Sequence, residues 1–402
     1  MSKSILFLAD GMADEPIDEL NGKTPLEAAH TPNMDSIALN GASGTFLSLP
    51  DGFPTSSDVA NMSVMGYDLA KYYPGRGPIE AVSQDIPLSE SDVAWRCNLV
   101  TVENDILKDY SAGHIDNEVS TKLMECLHEK LGNDKISFYP GVSYRNLLVL
   151  HGDGFSDKID YSKPDSSQGE RVCDLKLKAL DGSKEALETV AFLESVMQEA
   201  AEILSSHPLN KGKADPANSI WPWSPGHKPS FELFSDKYSG KKGAVISAVD
   251  VIFGIAKCAG MDVVKVPGAT GYIDTNYKGK AEAAIDALKN HDFVYLHVEA
   301  IDECSHMGDL NLKMKAIEDF DSKIVGPVLS ALKGQDVAFA VLPDHPVPIK
   351  LRKHTRTPVP VAVCGPHIKK DQLAVYSERV VKNGSLGFMK NDELMKLLLN
   401  LN

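Results

Sequence analysis

Six side chains with metal-ligating atoms stand at or just beyond the ends of apolar runs. Asp10 follows "SILFLA" (Ser4–Ala9), and Asp302 follows "FVYLHVEA" (Phe293–Ala300), with His306 four residues on. Asp344 and His345 close the run that begins at Ala338, and His354 precedes "VPVAV" (Val359–Val363). Carboxylates together with imidazoles suit Mn, Zn, Co or Mg, and two such sites a few ångströms apart form a two-metal centre. Each piece alone has an ordinary reading. Asp10-Gly11 is a turn, Asp302 a helix N-cap, and Asp344-His345-Pro346 a loop. The recurrence of these residue types at the ends of separate strand-like runs gives the set its weight.

A nucleophile is the next requirement. "GFPTSSDVANMSVMGYD" (Gly52–Asp68) sets Ser56, Ser57 and Asp58 before a short helical run, Val59–Met65. Unsatisfied N–H groups at a helix start favour an anion, and a metal beside the hydroxyl makes it nucleophilic. The same three residues also read as ordinary capping. "NGKTP" (Asn21–Pro25) is no phosphate loop, because Ile17 stands where that pattern requires glycine.

The apolar pattern gives the scaffold that carries these groups. Ser4–Ala9 reads as a strand, Thr31–Gly41 as a helix with its glycine stop, Asn117–Leu131 as an amphipathic helix, Tyr144–Gly152 as a strand and Ser183–Ser206 as a long helix. His207–Pro229 reads as a loop by its Pro, Gly and Asn content. After Lys242, apolar runs alternate with helical stretches, among them Lys280–Asn290 and Leu310–Leu332. That is the signature of a mostly parallel α/β sheet covered on both faces. The expected architecture is one sheet built from the N-terminal segment and the C-terminal half, residues 1–109 and 181–402. A smaller α+β cap domain, residues 110–180, is expected as an insertion. Ligands of such sheets collect beyond the carboxyl ends of the strands, which is where the six side chains fall.

Bulk properties agree. The 402 residues are 43% hydrophobic and 24% charged, an ordinary globular balance, and the length suits two domains or one elaborated one. A formal net charge of −15 argues against nucleic-acid and membrane-surface partners, yet allows a small anionic substrate where a metal reverses the local sign. Six scattered cysteines without a C-x-x-C, and an N-terminal apolar run too short for a signal peptide, are those expected of a cytoplasmic protein. No pattern in the chain sets an oligomeric state.

With these residues in hand, the chain resembles the cofactor-independent phosphoglycerate mutases of the archaeal type, in the alkaline phosphatase superfamily. The likeness is carried by "LADGMADEPIDELNGKTPLEAAHTPNMDSIA", "SSDVANMSVMGYD", "YYPGRGPIEA", "WRCNLVTV", "DYSAGHI", "VPGATGYIDTNY", "HVEAIDECSHMGD" and "LPDHPVPIKLRKHTRTPVPV", spread over nearly the whole chain. The resemblance implies a phosphatase-like α/β core with an inserted cap. It implies Ser57 as a transiently phosphorylated nucleophile. Asp10, Asp344 and His345 would hold one metal beside Ser57, and Asp302, His306 and His354 a second. Arg76, Arg96 and Arg145 match positions suited to a carboxylate or phosphate, and Asp109 is a candidate acid/base carboxylate. Each arginine also reads as a surface salt-bridge partner.

Three departures stand against the mutase pattern. Asn61 stands where a His is usual, Ser56 where a Gly is usual, and no Asp-Pro-His element occurs near Ile159–Glu170. The same metals and serine would serve a homoserine kinase using ATP, which is the alternative activity. A binding protein that lost the chemistry is a third reading, and the presence of all six ligands and the serine argues against it.

Overall fold

The computed structural model describes residues 3–401. Continuous apolar runs need burial on both faces, and the six inner strands of the eight-stranded larger sheet obtain it. Their spatial order is Asp262–Lys265, Gly243–Ser247, Phe293–Val298, Lys3–Ala9, Val337–Leu342, Val359–Cys364, Gly41–Phe46 and Gly387–Met389. All run in one direction except Val359–Cys364, which is antiparallel to both of its neighbours. Side-chain alternation sorts the faces. Val294, Leu296 and Val298 join Ile5, Phe7 and Ala9 in one core cluster with residues of the helices Pro32–Leu39, Tyr277–Ala287 and Leu310–Phe320. Tyr295, of the opposite parity, turns its hydroxyl to Asn61 on the helix Ser57–Val64.

The expected helix Leu310–Leu332 is broken. It runs as Leu310–Phe320, a wide π turn Asp321–Val325, and Gly326–Ala331. Pro327 has no N–H to give the preceding turn, so the regular ladder cannot continue through it. The wide turn has a use. Thr31 starts the helix Pro32–Leu39 but makes no side-chain cap. Asp321 caps it instead, accepting from the backbone N–H groups of Met34 (2.7 Å) and Asn33 (3.2 Å).

The chain divides into two compact units, residues 1–73 with 231–402, and residues 74–230. The expected cap boundaries, 110–180, were therefore too narrow. The reason is strand pairing: Val93–Glu103 lies inside the second unit's sheet, bonded to Arg145–Leu150, Ile106–Asp109 and Ser219–His227. Ser219–His227 also corrects the expectation of a loop over His207–Pro229. It is an edge strand, where Pro222 and Pro225 cost no ladder bonds, and a bulge opposite Trp95 puts Ser224 at φ 49°. The helices Asn117–Leu131 and Lys184–Ser206 form as expected, the second with Ser183 as a true N-cap. No helix among the described residues is long and apolar enough to cross a membrane.

Candidate active site

The first unit gathers the six ligand-type side chains in two sets of three, Asp10 with Asp344 and His345, and Asp302 with His306 and His354. The parallel topology explains how. The strands Lys3–Ala9, Phe293–Val298 and Val337–Leu342 are neighbours in register, so the residues beyond their carboxyl ends emerge together. Within each set the donor atoms lie within 4.8 Å of one another. His345 Nε2 is 3.5 Å from Asp10 Oδ1 and 3.3 Å from Asp344 Oδ2. His306 Nε2 is 3.3 Å from Asp302 Oδ2 and 3.0 Å from His354 Nε2. His306 is oriented through Nδ1 by the Arg352 carbonyl at 2.9 Å. The imidazoles of His345 and His354 stack and so join the two sets.

Asp302 is not the cap it could have been. It lies inside the helix Ala300–Met307 and is buried. Asp344 and His345 are in a loop, but one with no solvent exposure. Gly11, at φ 67°, lets the chain pass Asp302, since a Cβ there would stand 2.7 Å from the Asp302 Cα.

The electrostatics of the sets are unbalanced. Burial, then the carboxylates of Asp344 and Asp302, push Asp10 well above the usual carboxylate range. Burial likewise raises Asp344. Asp302 goes the other way: burial opposes ionisation, but His306 and His354 hold it below the usual range. Burial lowers His306, yet Asp302 overrides it and lifts the imidazole to about 9. Asp10 Oδ1 and Asp302 Oδ1 are buried without a hydrogen-bond partner. Buried acceptors of this kind lack compensation unless a cation supplies it. Carboxylate oxygens and imidazole nitrogens at these spacings fit a pair of divalent ions.

Ser57 opens the helix Ser57–Val64, and its Oγ lies 3.2 Å from His345 Nε2. The capping alternative fails: Ser56, the N-cap residue, makes no side-chain cap. Asn61, one turn on, gives one amide hydrogen to the Ser57 carbonyl at 2.8 Å and the other to Asp344 Oδ2 at 2.9 Å. It accepts from the Tyr295 hydroxyl. Asn61 thus ties the serine helix to a ligand of the first set. Asp344 Oδ1 accepts from the backbone N–H groups of Gly11 (3.2 Å) and His345 (2.8 Å).

The second unit brings together the three arginines. Glu80 accepts from Arg76 Nε at 2.6 Å and from Arg96. Arg96 lies over Trp223 at 5.3 Å, and the Trp223 indole N–H donates 3.0 Å to Asn98 Oδ1. Asn98 pairs across the sheet with Arg145, which lies over Tyr144. Arg96 is buried, so it is no surface salt-bridge residue. Asp109 is engaged locally. Its Oδ1 accepts from Ser111 N, Ser111 Oγ and Gly113 N and so clamps a turn.

The match to proteins of known kind extends along the full chain. A family model described as 2,3-bisphosphoglycerate-independent phosphoglycerate mutase matches residues 38–210. A protein of that name from Methanosarcina acetivorans is 47% identical over 99% of this chain and 100% of its own length. The chain belongs to the 2,3-bisphosphoglycerate-independent phosphoglycerate mutase family. A Geobacter sulfurreducens protein named as a probable mutase of this family is 43% identical over 99% of this chain and 100% of its own. The solved cofactor-independent phosphoglycerate mutase from Thermoplasma acidophilum superposes with a TM-score of 0.66 at 29% identity, covering 100% of this chain and 99% of that one. A solved Pyrococcus horikoshii protein reaches 0.83 at 29% identity, covering 99% and 97%.

Sequence reasoning missed several residues of these mutase-family clusters. Glu80, Asn98, Trp223, Tyr295 and Ser247 carry no local pattern, and His297 is the sixth residue missed. His297 alone had a usable signal, a polar residue inside the otherwise apolar run "FVYLHV" that must find a buried partner.

Proposed function

We propose that the chain interconverts 2- and 3-phosphoglycerate through a phosphoserine at Ser57, with no bisphosphoglycerate required. The reading is supported most by one observation: the Ser57 hydroxyl opens a helix and stands 3.2 Å from His345, within the Asp10, Asp344, His345 set. That set, and Asp302, His306 and His354, would hold divalent ions, which would supply Lewis acidity to lower the hydroxyl's pKa and offset phosphoryl charge. Ser57 loses its hydroxyl proton as Oγ attacks phosphorus, and the bond from phosphorus to the substrate's oxygen breaks. The released glycerate oxygen takes up a proton. Return of the phosphoryl to the other hydroxyl reverses these bonds and frees Ser57. Helix N–H groups at Ser57 favour the anion, and Asn61 keeps Ser57 and Asp344 in one frame. Arg76, Arg96 and Arg145 suit the substrate's carboxylate or phosphate.

With the missing Asp-Pro-His element, Asn61 was one of the departures that kept homoserine phosphorylation open. Its three hydrogen bonds give it a purpose independent of substrate, so it no longer argues for a kinase. The test uses one preparation of known metal content. Interconversion of 2- and 3-phosphoglycerate without bisphosphoglycerate, together with a phosphate mass on the Ser57 peptide after rapid quenching, is expected. Consumption of ATP only with homoserine, and no phosphoglycerate turnover, would overturn the proposal.

A further inference from the structure

Three adjacent parallel strands end at one level, and each presents a hydrogen-bonding side chain there. Ser247 is the last residue of Gly243–Ser247, His297 the penultimate residue of Phe293–Val298, and Asp10 the residue after Lys3–Ala9. The register sets Leu8 beside His297 and Ile246 beside Leu296. Ser247 Oγ lies 3.0 Å from His297 Nδ1, and His297 Nε2 lies 3.0 Å from Asp10 Oδ2. The Val249 N–H donates to Ser247 Oγ at 3.1 Å. With one oxygen lone pair so occupied, the serine hydroxyl hydrogen is free to point at Nδ1. A hydroxyl so directed favours the tautomer of His297 that carries its hydrogen on Nε2, the nitrogen that faces Asp10 Oδ2. The imidazole has no solvent exposure, and the His297 carbonyl accepts from the buried Lys280 ammonium at 3.2 Å, which fixes the strand end.

We propose that His297, set in one tautomer by Ser247, is a positioning residue for Asp10, holding Oδ2 so that buried Oδ1 is presented to a divalent cation. The two oxygens of Asp10 have different surroundings: one lies within hydrogen-bond distance of the imidazole, and the other has no hydrogen-bond partner. A carboxylate free to rotate would present either oxygen and lose affinity for the ion. The inference rests on the metal-binding reading of the Asp10, Asp344, His345 set.

The experiment titrates metal-free full-length protein with Mn2+ and follows free Mn2+ by electron paramagnetic resonance, with folding checked by circular dichroism. Two binding constants are expected in the unaltered protein. His297→Phe is expected to weaken one of them about 10- to 100-fold and leave the other in place. Ser247→Ala weakens the same site less, and His297→Gln, whose amide retains a donor, recovers part of the affinity. Where His297→Phe does not fold, the Ser247→Ala and His297→Gln proteins carry the comparison. Folded variants with unaltered constants, or with both constants changed equally, overturn the positioning role alone. An unaltered protein that binds no Mn2+ overturns the metal reading as well.

Discussion

His345 and His354 stack with their ring centroids 3.8 Å apart and their planes inclined by 23°. Each ring belongs to a different ligand set, so this contact holds the two sets side by side. The two residues sit on one segment, before and after the turn at Pro348–Arg352, where the backbone N–H of Thr355 bonds to the Pro346 carbonyl at 3.0 Å. A single loop therefore spans both sets and sets their spacing.

Removing metal should abolish turnover and lower thermal stability together. Six candidate ligand side chains gather in the two sets, four of them buried, and ions that bind only the folded state stabilise it by about 2.7 kcal/mol at 100 times their dissociation constant. Calorimetry after chelation, then after Mn2+ addition, should show Tm and activity falling and recovering in parallel. A Tm indifferent to chelator would contradict metal in these sets.

Ser57→Ala should lower kcat by at least about 1,000-fold, since the proposed covalent step has no other nucleophile. The circular dichroism spectrum should not change, because the serine hydroxyl's bond is to a site residue and not to the helix. Retention of more than a few per cent of the rate would point to a different acceptor.

Glu80 should leave a signature in acid. Burial works against its ionisation, but Arg96 and Arg76 outweigh it and hold the carboxyl at about 2, below its ordinary 4.5. A depressed folded-state pKa contributes stability that is present above pH 4.5 and lost as the pH falls towards 2. At about 1.4 kcal/mol per unit, that loss is up to roughly 3 kcal/mol. Denaturant titrations from pH 5 to 2 should show a shallower decline for Glu80→Gln than for the unaltered protein. Parallel declines would refute the role of the arginine pair.

Lys313 should be costly to remove. Its ammonium has no solvent exposure, and it donates to Asp14 Oδ2 at 2.7 Å and to the Val347 carbonyl at 2.9 Å. Asp14 and Val347 lie on the loops that come after Asp10 and His345, which also touch through the Val347 N–H to Ala13 carbonyl bond. Lys313→Met leaves the buried Asp14 carboxylate without its counter-ion, held only by backbone N–H groups such as that of Ile349, and should destabilise by about 3–5 kcal/mol. Lys313→Met combined with Asp14→Asn should recover a substantial part of that loss in urea unfolding. Strict additivity of the two changes would show that the pair is not coupled.

Chemistry that depends on residue type beside a continuous apolar run was legible in the chain. Asp10, Asp302, Asp344 and His345 follow strand ends and His354 precedes a strand start, because a parallel sheet buried on both faces writes its strands as uninterrupted apolar segments and its polar groups beyond them. Family membership was legible too, since several of the matching segments surround these ends. Features that depend on pairing between distant segments were not legible. Val93–Glu103 reads like any strand, and only its partners Arg145–Leu150 and Ser219–His227 place it in the second unit. Ser219–His227 reads as a loop because a sequence does not say which strands lie at an edge, the one place where its prolines cost nothing. Glu80 between two arginines, Asn61 between Ser57 and Asp344, and His297 between Ser247 and Asp10 gain meaning only from neighbours up to hundreds of residues away. A buried polar side chain must be satisfied, and the chain alone states that demand without naming the partner; packing in three dimensions chooses it.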